Sequence, residues 1–199
     1  MTSGRPREFD RDAALDAAMR LFWRKGFAST SVNDLCDAMG ICSPSLYAAF
    51  GCKETLYREA VAKYRCTLGP PLWSKLTEAP TACAGVRSFL LAAAESFPAS
   101  KSNPAGCMAM LGALGDEWPA PIAEDIKNGR LESLRMFRSR LETAVAQGEL
   151  STSTDIDRLS RFFVSVFQGM AIQARDGATP AELKGIAEAA MTAWPADVS

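Results

Sequence analysis

Apolar residues recur every three or four positions along almost the whole chain. No segment shows the strict alternation of apolar and polar residues that is typical of a half-buried strand. We therefore expect an all-α chain of about nine helices. The predicted helices span about residues 10–25, 32–39, 44–50, 85–97, 104–114, 120–147, 155–175 and 180–193, and another begins near Lys53.

Capping residues and glycines mark the ends of the early helices. Ser31 can cap the second helix, and Asp34, three residues later, can complete a capping box. Gly40 ends that helix, and only two residues separate it from Ser43. Ser43 is the predicted N-cap of the third helix, with Pro44 at the first helical position, where a missing N–H costs nothing. Two helices joined by so short a glycine-containing turn predict a helix-turn-helix.

The segment over residues 68–84 is the predicted joint of the chain. It contains Gly69-Pro70-Pro71 and Pro80, which interrupt regular structure. We expect a small N-terminal domain over residues 1–65 and a larger helical domain over residues 66–199.

The third helix has an unusual outer surface. Leu46 and Phe50 are one turn apart and form its predicted buried side. A solvent-facing helix normally carries Lys and Glu, whereas this helix carries small or hydroxyl-bearing residues, with Tyr47 on the flank. These residues are Pro44, Ser45 and Ala48. Small side chains let a helix enter the major groove of DNA, where Ser can bond base edges and Ala can touch a thymine methyl.

Polar groups around this surface are placed to bond phosphates of such a duplex. Ser43, Tyr47 and Lys53 flank the third helix, and Thr30 and Ser31 lie at the start of the second. The alternative interpretation is a plain helical hairpin with ordinary caps.

A basic arm precedes the first helix. Gly4-Arg5-Pro6-Arg7 offers Arg5 and Arg7 to a minor groove. Residues 1–65 carry 10 Lys and Arg against 8 Asp and Glu, a net charge of +2, whereas the whole chain has a net charge of −1. The alternative for the arm is an unstructured tail.

Composition argues against several classes of protein. No apolar run reaches the length of a membrane span, and the N-terminus lacks the apolar segment of a secretory signal, so we expect a cytoplasmic protein. The chain has no histidine, and its six cysteines form no CxxC pair, so the commonest general base and metal-binding patterns are missing. No nucleotide-binding or hydrolase motif is present. We expect no enzymatic activity, no cofactor and no metal site.

Residues 4–65 resemble the N-terminal domain of the TetR family of transcriptional repressors. The shared motifs of the first two helices are the Arg-Pro-Arg arm, the Lys-Gly-Phe end of the first helix and the Thr-Ser-Val start of the second. The Gly-Ile turn, the Leu-Tyr…Phe third helix and the Lys-Glu start of the fourth also match. Many members carry His-Tyr where Ala48-Ala49 stand here, and Cys52 replaces a commoner capping residue. The last two predicted helices resemble those of the family more loosely.

The resemblance implies an all-α homodimer that binds double-stranded, palindromic operator DNA and releases it when a small molecule enters the C-terminal domain. We therefore expect a repressor that responds to a small-molecule or thiol-modifying effector. The alternative is a helical adaptor or small-molecule carrier that no longer binds DNA, and only Ala48-Ala49 points toward it.

The resemblance also implies an effector pocket and a dimer interface in the C-terminal domain. The candidate pocket walls, each of a type that is more often plain core, are Phe89, Phe97, Cys107, Met108, Leu111, Trp118, Phe137 and Phe163. The helix over residues 155–175 is apolar on more than one side, which predicts burial against a partner subunit as well as inside. The resemblance implies a four-helix interface from residues 155–194, with candidate residues Phe167, Met170, Ile186, Ala190 and Trp194.

Cys107 is the candidate for thiol sensing. Asn103 and Pro104 predict the start of a helix, with Cys107 at the end of its first turn. A helix N-terminus stabilises a thiolate and lowers its pKa. The favoured alternative is a small buried hydrophobic residue.

Five basic residues lie on the predicted helix over residues 120–147. The favoured interpretation of this basic run is a solvated face, and the alternative is a second nucleic-acid surface. Its members are Lys127, Arg130, Arg135, Arg138 and Arg140.

Overall fold

The structure is a computed structural model that describes residues 9–110 and 118–195. Those residues form nine α-helices and no strand, which confirms the all-α prediction. The helices are α1 (Arg11–Lys25), α2 (Val32–Met39), α3 (Ser43–Phe50), α4 (Lys53–Leu68), α5 (Pro70–Thr77), α6 (Ala82–Ser96), α7 (Ala120–Ala146), α8 (Ile156–Arg175) and α9 (Pro180–Met191). Within the described residues, no helix is both long and apolar enough to cross a membrane.

The chain divides into two compact units, Met1–Lys63 and Tyr64–Ser199. The first unit is built on α1, α2, α3 and most of α4, and its core includes Phe22, Leu35 and Leu56. The rings of Phe22 and Tyr57 meet edge to face, with centroids 5.0 Å apart. Burial of these apolar side chains holds the short helices together, since isolated helices of this length are marginal in water.

The start of α2 follows the predicted capping box. The Ser31 hydroxyl accepts a hydrogen bond from the Asp34 N–H at 3.0 Å, and the Ser31 N–H donates to the Asp34 carboxylate at 2.9 Å. The backbone N–H of Ser31, with help from Lys25 and the Ser31 hydroxyl, lowers the pKa of Asp34 to about 2. The carboxylate therefore stays charged, and the cap stays intact, at any pH near neutrality.

The start of α3 differs from the prediction by one residue. Cys42, with an extended backbone, is the N-cap, and Ser43 is already helical. The Cys42 carbonyl accepts the first helical hydrogen bond, from the Leu46 N–H at 3.1 Å. Pro44 consequently occupies the second helical position, where its missing N–H is still without cost because the first four N–H groups have no partner inside the helix.

The predicted joint over residues 68–84 contains a helix, α5, that the sequence analysis missed. Pro70 and Pro71 lie in its first turn, where proline is compatible with a helix. Leu76 is fully buried, and Trp73, one turn before Thr77, is half-buried. This helix packs against α6.

The predicted helix over residues 104–114 is not present over its described part. Residues 104–110 contain a turn but no helix, and the remainder lies outside the described residues. Gly106 has a left-handed backbone, with φ at 79°, and its N–H donates to the Phe97 carbonyl at 2.7 Å. A helix cannot continue through that conformation, so the Asn103-Pro104 signal does not start one.

Candidate nucleic-acid interface

The two faces of α3 are those that its sequence predicts. Leu46 is 0% exposed and Phe50 is 2% exposed, so both belong to the core of the first unit. On the outer side, Tyr47 is 49% exposed, and Pro44 and Ala48 are also exposed. The helix therefore presents small side chains and one phenol to the solvent.

The two α3 serines are half-buried and lie beside cysteines. The Ser43 hydroxyl is 3.5 Å from the Cys36 sulfur, and the Ser45 hydroxyl is 3.2 Å from the Cys42 sulfur. Hydrogen bonds from the side chain and the backbone of Ser45 lower the pKa of the exposed Cys42 thiol. The hydroxyls retain lone pairs for an incoming donor, such as a base amino group.

Thr30 does not serve as the predicted phosphate contact. Its side chain is 0% exposed, and its hydroxyl donates to the Gly26 carbonyl at 2.6 Å. This hydrogen bond closes the turn after α1, so Thr30 has a structural role. Ser31 is exposed, but its hydroxyl is bonded to Asp34, so its contribution to a phosphate site is limited by the capping box.

Lys53 lies at the first position of α4. Its ammonium nitrogen is 4.2 Å from the centroid of the Phe27 ring, and partial burial lowers its pKa. The ring holds the side chain in place while leaving N–H donors for a phosphate. Arg5 and Arg7, the predicted minor-groove residues, lie outside the described residues.

Several predicted effector-pocket residues belong to one aromatic cluster in the second unit. Phe89 lies at its centre, with ring centroids 4.7 Å from Trp73, 5.1 Å from Phe137 and 4.8 Å from Phe167. Phe97 joins through Phe167, at 5.3 Å. Phe89 and Phe137 are 0% exposed, so this part of the predicted pocket is close-packed core.

The other predicted pocket residues are distributed around that cluster. Phe163 is fully buried and contacts the ring of Trp194 at 5.9 Å. Trp118 is half-buried, Met108 is buried, and Leu111 lies outside the described residues. Trp73 was missed because its segment was predicted as a joint.

The setting of Cys107 agrees with the favoured interpretation, a small buried residue, and not with a thiol activated by a helix N-terminus. Cys107 is buried, no helix begins before it, and burial raises its pKa. Its thiol shares a hydrogen bond with the Tyr64 hydroxyl, whose pKa is raised well above its usual value by burial. Both observations favour the alternative of a buried, protonated thiol.

Three of the five predicted dimer-interface residues are buried inside the second unit. Phe167, Met170 and Ala190 are buried inside the second unit at 2%, 0% and 6% exposure, so they do not form a surface. Ile186 and Trp194 are half-buried. The outer side of α8 instead carries two large exposed apolar residues, Phe162 at 39% and Ile172 at 45%, with half-buried or exposed small residues between them. The exposed or half-buried positions on this outer side are Phe162, Ser165, Val166, Gly169 and Ile172.

The basic run on α7 is held by ion pairs. Lys127 pairs with Glu124 at 3.4 Å, Arg135 with Glu132, and Arg138 with both Glu142 and Asp157. These partners neutralise the charge locally, which supports the solvated-face interpretation for these three residues. Arg140 is instead buried, so it does not belong to a solvated face.

A surface groove of about 560 Å³ lies between the end of α5 and the second half of α7. Its walls include the buried Arg140, which donates to the Ala79 carbonyl at 3.2 Å. Among the described residues, its lining shares none with the predicted effector pocket. Nor do the described residues contain a group of three or more acidic, Cys or His side chains placed to hold a metal ion.

Comparison with known families matches both units. A family model for bacterial regulatory proteins of the tetR family matches residues 14–60, and one for a tetracyclin repressor-like C-terminal domain matches residues 85–193. The HTH-type transcriptional repressor ComR of Escherichia coli (strain K12) is 36% identical over 195 residues, covering 96% of this chain and 92% of ComR. The repressor BdcR of the same strain is 31% identical over 174 residues, covering 87% of this chain and 83% of BdcR.

Solved structures are similar over nearly the whole chain. The TetR family regulator CifR, in a cysteine mutant complexed with 26bp double-strand operator DNA, is 40% identical with a TM-score of 0.91. That match covers 96% of this chain and 100% of the CifR chain. A TetR transcriptional regulator from Rhodococcus sp. RHA1 is 34% identical with a TM-score of 0.63, covering 94% and 99% of the two chains.

The different settings of Cys42 and Cys107 predict different reactivity in the folded protein. Cys42 is exposed with a lowered pKa, whereas Cys107 is buried with a raised pKa, so less of it is thiolate at any given pH. Near neutral pH, iodoacetamide should alkylate Cys42 at least about ten times faster. Peptide mapping by mass spectrometry measures both rates. In guanidinium chloride the two rates should converge; equal rates in the folded protein would contradict the assignment.

Proposed function

This chain belongs to the tetR family of bacterial regulatory proteins, and from that premise we propose that it is a DNA-binding transcriptional repressor. The observation that carries the proposal is the outer face of α3, which is free of long charged side chains and projects Tyr47 from a buried base of Leu46 and Phe50. The operator complex of CifR supports it, since that protein is 40% identical over 96% of this chain. The family is one of regulators, so we assign no reaction.

In the proposed complex, α3 enters the major groove. Ser45 and Ala48 contact base edges, because they are small and lie on the side opposite Leu46. Tyr47, Ser43 and Lys53 bond phosphates on either side of the groove. The Arg5 and Arg7 arm follows the adjacent minor groove.

We propose that the repressor is a homodimer formed through the outer side of α8 together with α9. Phe162 and Ile172 are exposed and apolar, and Gly169 and Ser165 between them allow close approach of a second helix. A two-fold dimer presents two copies of α3, so the operator is a palindrome with half-sites about 34–36 Å apart or a multiple of that.

We further propose that an effector controls DNA binding through the second unit. Repression is relieved only if the effector binds more tightly to the state that does not bind DNA. The effector is a small molecule or a thiol-modifying compound, in a site bordered by the aromatic cluster and by Tyr64 and Cys107. Operator release by an electrophile in the wild type but not in Cys107→Ser supports the thiol route through Cys107. Equal release in both proteins indicates reaction at another thiol such as the exposed Cys42, and release in neither favours a non-covalent ligand.

The second candidate function is a helical carrier or adaptor that no longer binds DNA. Ala48 and Ala49 favour it, since they replace larger polar residues common in the family. The repressor is preferred because the remaining α3 surface is intact, and because the similar repressors ComR and BdcR align with most of this chain.

A bacterial repressor acts on chromosomal DNA, so we propose that this protein is cytoplasmic.

Removing the Tyr47 side chain should weaken operator binding without affecting folding. The residue is 49% exposed, so Tyr47→Ala leaves the core intact. We expect a loss of about 1.5–3 kcal/mol, or roughly 10- to 150-fold in affinity, as for a hydrogen bond to a charged group such as a phosphate. Fluorescence anisotropy with a labelled operator measures the affinity, and circular dichroism checks the fold.

Lys53→Ala should reduce the salt dependence of operator binding by about one phosphate contact, whereas Lys75→Ala, on the exposed side of α5, should not. Unchanged binding in both Tyr47→Ala and Lys53→Ala would refute the interface.

A charge on the outer side of α8 should dissociate the dimer. Phe162→Asp would bury two unpaired carboxylates per dimer, which should raise the dimer dissociation constant by more than about 100-fold. Leu131→Asp is the matched control, since Leu131 is a large apolar residue of similar exposure, 41%, on a different helix, α7. Sedimentation equilibrium measures the dimer dissociation constant of the wild type and of both variants. A monomeric wild type, or a Phe162→Asp protein that stays dimeric, would contradict the proposed interface.

A further inference from the structure

We infer that Arg11, in α1, is a positioning residue that fixes the orientation of the recognition helix α3 and thereby controls discrimination between operator and other DNA. The inference rests on the proposed function, because it concerns how the same surface reads a sequence. Arg11 itself contacts no base in this account and acts through the helix that does.

The Arg11 guanidinium bonds the last turn of α3. Its Nη2 donates to the Ala49 carbonyl at 3.1 Å, and its Nε lies 3.4 Å from the same oxygen. The guanidinium carbon is also 4.3 Å from the centroid of the Phe50 ring. A cation at this place also interacts favourably with the negative end of the helix dipole.

The same guanidinium connects α3 to α4. Nη2 of Arg11 also donates to the Glu59 carboxylate, whose two oxygens lie 3.0 and 2.8 Å from it. Because Arg11 lies in α1 and Glu59 in α4, one planar side chain joins three helices of the first unit. A lysine side chain is one bond shorter and lacks both the Nε donor and the planar group that lies over Phe50, so it cannot reproduce these contacts together.

The other contacts of α3 are its packing on α2, which includes the Ser43 hydroxyl 3.5 Å from the Cys36 sulfur, and its two buried side chains. The helix has eight residues, and only Leu46 and Phe50 among them are buried. At its C-terminal end, the Gly51 N–H donates to the Tyr47 carbonyl and the Cys52 N–H donates to the Phe50 carbonyl. The Ala49 carbonyl lies between these two and receives its hydrogen bonds from Arg11. We infer that two buried side chains leave the tilt of so short a helix only partly determined, and that the Arg11 bonds complete it.

The effect of Arg11 should appear in recognition more than in stability. The Arg11 and Glu59 side chains are 49% and 33% exposed, and ion pairs this accessible to water contribute little to folding. A change in the tilt of α3, however, displaces every base contact at once. Contacts to bases carry sequence information, whereas contacts to phosphates hold any sequence almost equally.

Loss of Arg11 should therefore lower affinity for the operator while leaving affinity for unrelated DNA nearly unchanged. If Arg11 were instead a phosphate contact, affinity for all sequences would fall together and the salt dependence would drop by about one contact. A positioning role therefore lowers affinity for the operator alone, whereas a phosphate contact lowers affinity for both kinds of DNA in the same assay.

The test compares two duplexes across four full-length proteins. The first duplex is selected by the wild type from a pool of randomised sequence, and the second is a scrambled duplex of equal base composition. The proteins are wild type, Arg11→Gln, Arg11→Lys and the control Lys63→Gln. Lys63 suits the control because it also ties α4 to α1, through Asp12 and Asp16 at 2.8 Å. Thermal unfolding of each protein measures stability.

We expect Arg11→Gln to reduce the ratio of operator to scrambled affinity by about tenfold, with the salt slope unchanged. Arg11→Lys should restore little of that ratio, and Lys63→Gln should keep it while losing comparable stability. The inference would be overturned if both Arg11 variants kept the wild-type affinity ratio, or if they lost affinity equally for both duplexes. It would also be overturned if Lys63→Gln reduced the affinity ratio as much as Arg11→Gln. A wild type that selects no sequence at all would instead refute the proposed function.

Discussion

The burial of Leu46 and Phe50 is the constraint on which the proposed DNA-binding surface depends. Each buried side chain of this size stabilises the fold by about 1.5–3 kcal/mol, far more than the exposed contacts around α3 contribute. With these two residues inside, the period of the helix leaves Tyr47 and Ala48 outside. In our proposal, the exposed hydrogen bonds from Arg11 then fix the tilt of α3, whose buried side is set by Leu46 and Phe50. Core packing and recognition are thus two consequences of one amphipathic pattern.

The second unit has a different physical character, because its aromatic rings are close-packed. Phe89 and Phe137 are wholly buried, and the rings around them are in van der Waals contact. In our proposal, a ligand that enters here has to separate rings that now touch, so its binding is coupled to movement of the helices that carry them. The buried hydrogen bond between Tyr64 and Cys107 adds a polar pair to this interior, and its disruption is costly.

The sequence predicted best where a helix has one apolar side. For α3, the positions of Leu46 and Phe50 settled the inner face, and the structure agrees. It predicted worst where local signals compete: Pro70 suggested a break but lies in a helical first turn, and Pro104 suggested a start that the left-handed Gly106 prevents. On α8, apolar residues lie on several sides, so spacing alone did not reveal that Phe167 is inside. The pairing of Arg11 with the end of α3 joins residues far apart in the chain, and no local pattern indicates it.

We propose that this chain recognises a DNA sequence through paired copies of α3. The most direct test is to identify which pieces of fragmented genomic DNA the protein binds. The purified full-length protein is mixed with the fragments at physiological salt, and those that it retains are sequenced. If paired copies of α3 read the DNA, the retained fragments will share one palindrome, with two half-sites centred about 34–36 Å apart or a multiple of that spacing. Retention of fragments that share no sequence, or of none above background, would contradict it.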